Sequence, residues 1–199
     1  MSKCSLLIIF YRNPELGKVK TRLAKAIGDE MALAIYLKLS SYTHHITEDL
    51  SVNKVVCYSQ FADTEDHWPN RSYQKKVQQG NDLGERMHNA FAQAFAEGYR
   101  SVCIIGTDCL ELTSSIIKDA FKKLITYDVV IGPAADGGYY LLGMNKHYPE
   151  VFKNKSWSTA TVSRDTILDF INLKLRFSEL QTLSDIDDEK DLLQSGKLF

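Results

Sequence analysis

The sequence has almost no charge imbalance and no long apolar run, and each absence excludes a class of protein. Its 199 residues include 24 Lys and Arg against 25 Asp and Glu, so the formal net charge is -1. Nothing global therefore favours binding to nucleic acid or to an anionic membrane. No apolar run approaches the roughly 20 residues of a membrane span, and the run at 6–11 is too short for a signal peptide. We expect a cytoplasmic protein without a nucleic-acid or membrane partner.

Cysteine is scarce, and its spacing is not that of a metal site. The sequence has four cysteines but no Cys-x-x-Cys pair and no Cys/His ligand pattern, which argues against zinc. Cys4, Cys57 and Cys103 lie within apolar runs, where cysteine usually serves as a small buried hydrophobe. Cys109 differs because it adjoins Asp108, and the sequence assigns it no role.

Apolar runs that suit buried strands alternate with segments of helical periodicity. The length suits one domain, 1–199, with a sizeable core. Continuous apolar runs predict strands that are buried on both faces, and apolar residues three or four apart predict amphipathic helices. The predicted strands are 4–10, 54–58, 73–78, 101–105, 128–131, 139–144 and 173–177, and the predicted helices are 21–27, 29–46, 83–97, 113–125, 158–170 and 187–194.

This alternation predicts an α/β fold, namely a three-layer α/β/α sandwich with a mixed, mainly parallel sheet. Strands 128–131 and 139–144 are close neighbours in the sequence. A parallel crossover needs about a dozen residues or more, so we expect these two strands to be antiparallel.

Capping residues set the predicted ends of the helices. Asp29 is the expected N-cap of the second helix, in which Met31 and Ile35 would lie on the buried face. For the fifth helix, the expected N-cap is Ser158 or Thr159.

The loop after the first strand carries a cluster of cations. Arg12, Lys18, Lys20 and Arg22 surround Gly17 and precede a predicted helix N-terminus. Cations, a glycine and a helix N-terminus together make an anion site, and open α/β sheets bind ligands at the carboxyl ends of their strands. The spacing fits neither a P-loop nor G-x-G-x-x-G, which disfavours P-loop ATPases and Rossmann dehydrogenases. The alternative is a solvated basic loop.

A second cluster, at 78–87, leads into the third helix. Gly80 and Gly84 allow the backbone to approach a ligand closely. Asp82 and Glu85 have the spacing of a capping box, and we favour that structural role for Asp82.

A carboxylate follows the apolar strand 101–105. Thr113 is the better cap for the next helix, which leaves Asp108 free for another role. Mg²⁺ is commonly held by one or two carboxylates together with substrate phosphates, so Asp108 is a candidate metal ligand. The alternative is that Asp108 braces the turn.

A second carboxylate lies between the two late strands. Asp136 is followed by Gly137 and Gly138, whose lack of side chains lets a ligand approach the backbone. If Asp136 and Asp108 share one edge of the sheet, the two carboxylates face the basic loop. That arrangement predicts a metal-plus-phosphate site.

A weaker cluster is formed by Trp157, Ser158 and Thr159. We favour the structural interpretation, in which an aromatic core residue precedes a helix cap. The functional alternative is that these residues make a wall and a hydroxyl that face a sugar or a phosphate.

Taken together, five segments resemble the DUF2064 family, also called selenium-domain-associated transferase 1 or CofC-like glycosyltransferases. The segments are FYRNPELGKVKTRLAKAIG, GNDLGERM, IGTDCLEL, DVVIGPAADGGYYLLGM and WSTATV. The resemblance covers residues 4 to about 193. LSDIDDEKDL, at 183–192, also resembles the closing segment of many nucleotide-sugar-forming enzymes.

The resemblance implies a nucleotide-diphospho-sugar transferase (GT-A) fold, similar to the folds of molybdenum-cofactor guanylyltransferase and phospholactate guanylyltransferase. By that similarity, the loop 12–22 would take the nucleotide phosphates. Gln79, Gly80 and Gly84 would lie near the base or ribose, and Asp108 would hold Mg²⁺ or Mn²⁺.

The same resemblance implies an acceptor site. Asp136 would face the acceptor or a second metal position, and the acceptor-binding residues would be Asp136, Gly137, Gly138, Tyr139, Trp157, Ser158 and Thr159. One position departs from the family, because Leu110 stands where a proline is usual. This change alters local rigidity and leaves Asp108 intact.

The predicted function is transfer of a glycosyl or nucleotidyl group from a nucleotide-sugar or nucleoside triphosphate to a small acceptor, with Lys20 and Asp108 as the catalytic residues. The single aspartate within 107–111 favours nucleotidyl transfer, since glycosyltransferases of this fold often carry Asp-x-Asp, whereas the family names favour glycosyl transfer. The competing hypotheses are a non-catalytic nucleotide-binding accessory protein and an α/β scaffold with charged loops. A homodimer is compatible with a small α/β protein of this kind.

Overall fold

A seven-stranded sheet forms the middle layer of the computed structural model, which describes residues 5–196. Helices cover both faces of the sheet, which confirms the predicted three-layer architecture. The strands are β1 (Ser5–Tyr11), β2 (Asn53–Tyr58), β3 (Gln74–Val77), β4 (Ser101–Ile105), β5 (Val129–Pro133), β6 (Tyr139–Met144) and β7 (Phe177–Glu179). The helices are α1 (Thr21–Ile27), α2 (Asp29–Thr47), α3 (Leu83–Ala96), α4 (Ser114–Lys123), α5 (Val162–Asn172) and α6 (Glu189–Ser195), with a 3₁₀ helix at Pro149–Phe152.

The strand order is β3-β2-β1-β4-β6-β5-β7. β6 runs antiparallel to β5, as predicted from the short connection between them, and also antiparallel to β4; the other pairs are parallel. The chain passes from β1 to β2 on one side and later adds β4 on the other side of β1. Such a reversal opens a crevice at the carboxyl ends of the two strands, where open α/β sheets bind ligands.

Alternate residues of β1 enter the two halves of the core. Leu7 and Ile9 pack on the face covered by α2 and α4, whereas Leu6 and Ile8 pack on the face covered by α3 and α5. All four side chains are buried, because the strand has a helical layer on each side. This two-sided burial explains the continuous apolar run that predicted the strand.

The cysteine predictions are confirmed for two positions. Cys57 and Cys103 are buried within the sheet, and Cys4 lies outside the described residues. Between residues 5 and 196 there is no helix with the length and apolar character that a membrane span requires.

The predicted cap of α5 is wrong. The helix begins at Val162 after Thr161, rather than after Ser158 or Thr159. Ser158 has a φ of 62°, and the Thr159 hydroxyl donates to the carbonyl of Ser156 at 2.7 Å instead of capping the helix. The segment therefore turns once more before the helix starts.

The predicted start of α2 also needs correction. Gly28 occupies the N-cap position, and Asp29 lies in the first turn, where its negative charge suits the positive end of the helix dipole. Ile35 is buried as expected, but Met31 is 47% exposed. The buried face of α2 therefore begins at Ala32 rather than at Met31.

The last strand lies farther along the chain than the predicted 173–177. Leu173 ends α5 and Lys174 has a φ of 55°, so the extended backbone begins only at Phe177. Asp128 fixes this start, because it accepts hydrogen bonds from the backbone N–H of Arg176 at 2.9 Å and from its Nη2 at 3.0 Å. These bonds hold β7 beside β5.

We expect Asp128→Asn to destabilise the protein in a pH-dependent way. The hydrogen bond from the Arg176 side chain holds the pKa of Asp128 below its usual value. A lowered carboxyl pKa stabilises the fold above the ordinary pKa, and this stabilisation is lost as the pH falls through the folded-state pKa. Urea unfolding should show the variant to be less stable at pH 7, with a difference that narrows below about pH 4.

The matched control for this change is Asp119→Asn. Asp119 lies 3.8 Å from Lys123 on the exposed face of α4, and such surface pairs contribute little. A loss of stability in Asp128→Asn that is equal at pH 7 and pH 3 would show that the ion pair with Arg176 is not its cause.

Candidate functional site

A cleft lies at the carboxyl ends of β1 and β4, where the strand order reverses. Its volume is about 220 Å³. The loop after β1 and the first turn of α1 supply three cations, the segment after β4 supplies a threonine and an aspartate, and the segment before α6 supplies a second aspartate. We call it the basic cleft, and these residues are Arg12, Lys20, Arg22, Thr107, Asp108 and Asp187.

Lys20 is the buried centre of the basic cleft. Its side chain is 4% exposed, and its Nζ lies 3.0 Å from Asp108 Oδ2 and 3.0 Å from Asp187 Oδ1. Burial alone would lower the pKa of Lys20, but the two carboxylates outweigh it and raise that pKa. Lys20 is therefore a fixed cation at neutral pH.

The backbone of Lys20 is unusual as well. Its φ of 47° and ψ of 42° are left-handed, immediately before α1, and this conformation costs a residue other than glycine roughly 1–2 kcal/mol. Such strain persists where the surroundings over-determine it and is frequent at functional sites. Here the two carboxylates hold the side chain in place.

The two arginines of the basic cleft are held less tightly. Arg22 Nη1 lies 3.6 Å from Asp187 Oδ2, and Nη2 lies 3.5 Å from Asp188 Oδ2. The backbone of Arg12 is bonded to Tyr36, whose hydroxyl donates to the Arg12 carbonyl at 2.7 Å and accepts from the Arg12 N–H at 2.9 Å. The Arg12 side chain is exposed and lines the cleft.

Two predicted residues of the loop lie outside the basic cleft. The Lys18 side chain is 63% exposed and pairs with Glu15 at 2.7 Å. Gly17 has a φ of 72° and forms the turn that precedes Lys18. The structure therefore brings together Arg12, Lys20 and Arg22 but not Gly17 and Lys18.

A second cavity, of about 270 Å³, adjoins the basic cleft and shares Phe10, Gly106 and Asp108 with it. We call it the aromatic cavity. It is lined further by the first turn of α3, by the start of β6 and by the segment before α6. Its additional side chains include Leu83, Met87, Tyr139, Tyr140 and Asp185. Asp108 thus stands at the junction of the two spaces.

Asp185 is the most perturbed carboxyl group at this edge. Burial raises its pKa to about 7, and the negative charges of Asp108 and Asp136 act in the same direction. Lys20 opposes the shift. The negative charges of Asp108 and Asp136 therefore disfavour the charged form of Asp185, and a divalent cation at the junction would relieve that repulsion.

The predicted metal ligands fit this arrangement unequally. The Asp108 side chain is 40% exposed at the junction, which suits Mg²⁺ or Mn²⁺ completed by substrate phosphates. Asp136 is exposed, lines neither space, and accepts a hydrogen bond from the N–H of Gly138 at 2.8 Å. In the described part of the chain no three His, Cys, Asp or Glu side chains group closely enough to form a metal cage by themselves.

The glycines around Asp136 have a packing role. Gly137 has a φ of 91°, and a Cβ placed there would lie 2.0 Å from the carbonyl oxygen of Ala160. The Gly137 carbonyl accepts from the N–H of Ser163 at 2.9 Å. A Cβ on Gly84 would lie 2.1 Å from Trp157 Nε1. The segment 157–161 therefore rests on two glycines, one in α3 and one in the β5–β6 turn.

Of the remaining predicted residues, one lines the aromatic cavity and the others lie outside both spaces. Tyr139 lines the aromatic cavity, whereas Trp157, Ser158 and Thr159 line neither space. Gln79 lines a separate pocket of about 50 Å³ between β2, β3 and α3. The Gly80 carbonyl accepts from Arg86 Nε at 3.1 Å.

Two further residues near the site have structural roles. Asp82 caps α3, as predicted, because its Oδ1 accepts from the N–H of Glu85 at 2.8 Å. The Glu85 carboxylate bonds Asn81 instead of Asp82, so the capping box is incomplete. Cys109 is buried, its Sγ donates to the Ser184 carbonyl at 3.5 Å, and burial raises its thiol pKa to about 12. It therefore braces the loop as a thiol.

Asp185 and Asp187 are the site residues that sequence reasoning missed. They lie in LSDIDDEKDL, which follows the last strand and precedes α6. The sequence signal for these two residues was the run of acidic residues that follows a strand. The same segment resembles the closing segment of nucleotide-sugar-forming enzymes. This acidic segment belongs to the site because it folds back to Asp108. The carbonyl of Asp108 accepts a hydrogen bond from the N–H of Ile186 at 3.0 Å.

Comparison with known proteins identifies the fold and the family. A protein from Desulfovibrio desulfuricans G20, provisionally assigned as a nucleotide-diphospho-sugar transferase, is 33% identical, with a TM-score of 0.89 over 96% of this chain and 85% of that one. The 4-diphosphocytidyl-2C-methyl-D-erythritol synthase of Anaerococcus prevotii DSM 20548 is 9% identical, with a TM-score of 0.62 over 98% and 95%. The glucosyl-3-phosphoglycerate synthase of Mycobacterium tuberculosis, solved with Mn²⁺, UDP and glucosyl-3-phosphoglycerate, is 12% identical, with a TM-score of 0.55 over 96% and 75%.

These likenesses define the class: the chain has the nucleotide-diphospho-sugar transferase fold, and the structures that it resembles include nucleotidyl and glycosyl transferases. Residues 42–159 match the family described as "Uncharacterized protein conserved in bacteria (DUF2064)". The chain belongs to that family, which confirms the resemblance seen in the sequence. No functionally curated protein matches it significantly.

We expect Gly137→Ala to cost much more stability than Gly98→Ala. The two glycines have nearly the same φ, 91° and 89°, but a Cβ at Gly98 would meet nothing within 4 Å. Gly98→Ala therefore reports only the left-handed strain of roughly 1–2 kcal/mol. Gly137→Ala adds a clash with the backbone of Ala160, and overpacking typically costs about 1–3 kcal/mol more.

Urea unfolding of the two variants measures the difference directly. Equal losses in the two variants would show that the segment 157–161 does not rest on Gly137.

Proposed function

We propose that the chain is a metal-dependent transferase that takes a nucleotide-sugar or nucleoside triphosphate as donor and moves its glycosyl or nucleotidyl group to a small acceptor. The observation that carries this proposal is Lys20, held as a buried cation between Asp108 and Asp187 at the carboxyl ends of β1 and β4. A cation that is fixed at the reversal of strand order suits an anionic ligand such as a diphosphate.

The residues of the basic cleft would divide the work of binding the donor. Arg12, Lys20 and Arg22 would neutralise the phosphates. Asp108 would hold Mg²⁺ or Mn²⁺, with Asp185 and Asp136 nearby in the same negative field. The metal, when bound, would supply further neutralisation of the charge that develops on the leaving group.

Little covalent chemistry is asked of the protein itself. The acceptor oxygen forms a bond to the transferred carbon or phosphorus, and the bond from that atom to its leaving oxygen breaks. The electron pair departs with a nucleoside diphosphate in glycosyl transfer or with pyrophosphate in nucleotidyl transfer, and the acceptor proton passes to water. Lys20 and the arginines stabilise this negative charge, and positioning supplies most of the remaining acceleration.

The two forms of the reaction share the same cleft. The segment after β4 contains Asp108 and no second aspartate in an Asp-x-Asp pattern, which favours nucleotidyl transfer. The name of the M. tuberculosis structure, a glucosyl-3-phosphoglycerate synthase with UDP, supports the glycosyl form for the fold. The product decides between them, because only nucleotidyl transfer releases pyrophosphate.

The first test is a thermal-shift panel of nucleoside triphosphates and nucleotide-sugars, each with and without Mg²⁺ or Mn²⁺. A donor at 100 times its Kd should stabilise the fold by about 2.7 kcal/mol. We expect a shift that depends on the metal and is lost in Asp108→Ala. A shift that survives in Asp108→Ala would point instead to a non-catalytic nucleotide-binding protein, and no shift with any nucleotide would contradict the proposal.

The second test compares two neighbouring lysines. Lys20→Met removes the buried cation of the basic cleft, so kcat for the donor found in the panel should fall by about 10²-fold or more. Lys18→Met removes an exposed cation that pairs with Glu15 outside the cleft, so kcat should change by less than about twofold. Steady-state kinetics, with circular dichroism to check folding, give the comparison. Similar losses in both variants would mean that the loop acts through its overall charge.

A further inference from the structure

The aromatic cavity differs chemically from the basic cleft beside it. Its walls include the apolar side chains of Leu83 and Met87 and the rings of Phe10, Tyr139 and Tyr140. Asp108 and Asp185 are its carboxyl residues, and within residues 5–196 no Lys, Arg or His lines it. The cavity is therefore apolar with an acidic wall at the junction.

The tyrosine hydroxyl protons of the cavity are already engaged. The Tyr140 hydroxyl donates to the Gln181 carbonyl at 2.9 Å, and the Tyr139 hydroxyl donates to Met87 Sδ at 3.5 Å. Lys20 lies in the basic cleft, outside the lining of this cavity, and is shared between Asp108 and Asp187. Apart from a metal ion held by Asp108 at the junction, the lining of the aromatic cavity thus offers a ligand no cation.

This composition selects against anionic ligands. Away from the junction, where Asp108 would hold the metal, a phosphate or carboxylate would lose its hydration and find no cation among the lining residues. A hydroxyl group can instead donate to a carboxylate, and an apolar face of the ligand can pack on the rings of Phe10 and Tyr139. The volume of about 270 Å³ lies near the lower end of the range for small-molecule sites.

We infer that the aromatic cavity holds the acceptor, and that this acceptor is a small hydroxyl-bearing molecule without a phosphate or carboxylate group. The inference rests on the proposed function, because it assigns the donor diphosphate to the basic cleft. The acceptor hydroxyl then approaches Asp108, where the two spaces meet. The bond that forms joins the acceptor oxygen to the transferred group, and the leaving group carries its electron pair into the basic cleft.

Met87 offers a direct reporter of this cavity. The chain has four methionines, and Met87 lines the cavity whereas Met31 is exposed on α2. In protein labelled with [methyl-¹³C]methionine, the Met87 signal can be assigned from Met87→Leu. The probes are matched pairs: glycerol and glycerol 3-phosphate, myo-inositol and myo-inositol 1-phosphate, and phenyl β-D-glucoside and phenyl β-D-glucuronide.

We expect the uncharged member of at least one pair to shift the Met87 signal, the anionic member to shift it far less, and the Met31 signal to stay unchanged. The proposal is overturned if the anionic members act as strongly as their partners, or if no compound in either set moves the Met87 signal. It is also overturned if the nucleotide donor alone moves Met87 as far as the uncharged compounds do, since the cavity would then hold part of the donor.

Substitution of Leu83 by a charged residue gives a second, independent test of the acceptor site. Leu83 is 43% exposed in the first turn of α3 and lines the cavity, so the surface can accept a polar side chain there. Leu83→Arg should raise the affinity for the phosphate member of a pair by about tenfold through a charge-assisted hydrogen bond. Leu83→Gln, of similar length and without charge, should not. Equal affinities in the two variants would remove Leu83 from the acceptor site and contradict the proposed position.

The failures of the two proposals are distinguishable. Metal-dependent nucleotide binding that is lost in Asp108→Ala, together with a silent Met87, leaves the transferase proposal standing and overturns the acceptor assignment. A Met87 response without nucleotide binding overturns both the transferase proposal and the acceptor assignment. The cavity would then bind small molecules in a protein that binds no donor.

Discussion

Two carboxylates that hold one buried ammonium group organise the candidate site. Lys20 comes from the loop after β1, Asp108 from the segment after β4, and Asp187 from the segment before α6. A buried ion pair that loses one partner leaves an uncompensated charge, which is strongly destabilising. The three segments are therefore held together by electrostatics as well as by the sheet, at a residue whose backbone is left-handed.

Asp108 stands where the two spaces of the candidate site meet. One side of this residue faces a cleft of cations and the other faces a cavity of aromatic and apolar side chains. A donor and an acceptor placed in the two spaces would meet at a single carboxylate, so that binding and orientation are achieved together. The antiparallel strand β6 completes the arrangement, because its reversed direction brings Tyr139 to the edge where β4 ends.

The fold was largely predictable from the sequence, and the site only partly. Buried strands such as β1 show as continuous apolar runs, because both faces are covered. The start of β7 depends on hydrogen bonds between Asp128 and Arg176, 48 residues apart, which no local pattern reveals. Lys20 and Asp108 could be identified from residue type and strand ends, whereas Asp187 acquires its role only through its contact with Lys20, 167 residues away. Gly84 and Gly137 suggested ligand approach, but each makes room for the segment 157–161.

The strand order has a consequence for self-association. The two edges of the sheet are β3 and β7, which span four and three residues. β3 carries Lys75 and Lys76, which pair with Asp66 and Glu97 at 2.6 Å each. Short edges that carry charged side chains discourage edge-to-edge pairing and the aggregation that follows from it. Pairing of two copies through a continuous sheet is therefore disfavoured relative to contact through helices or loops.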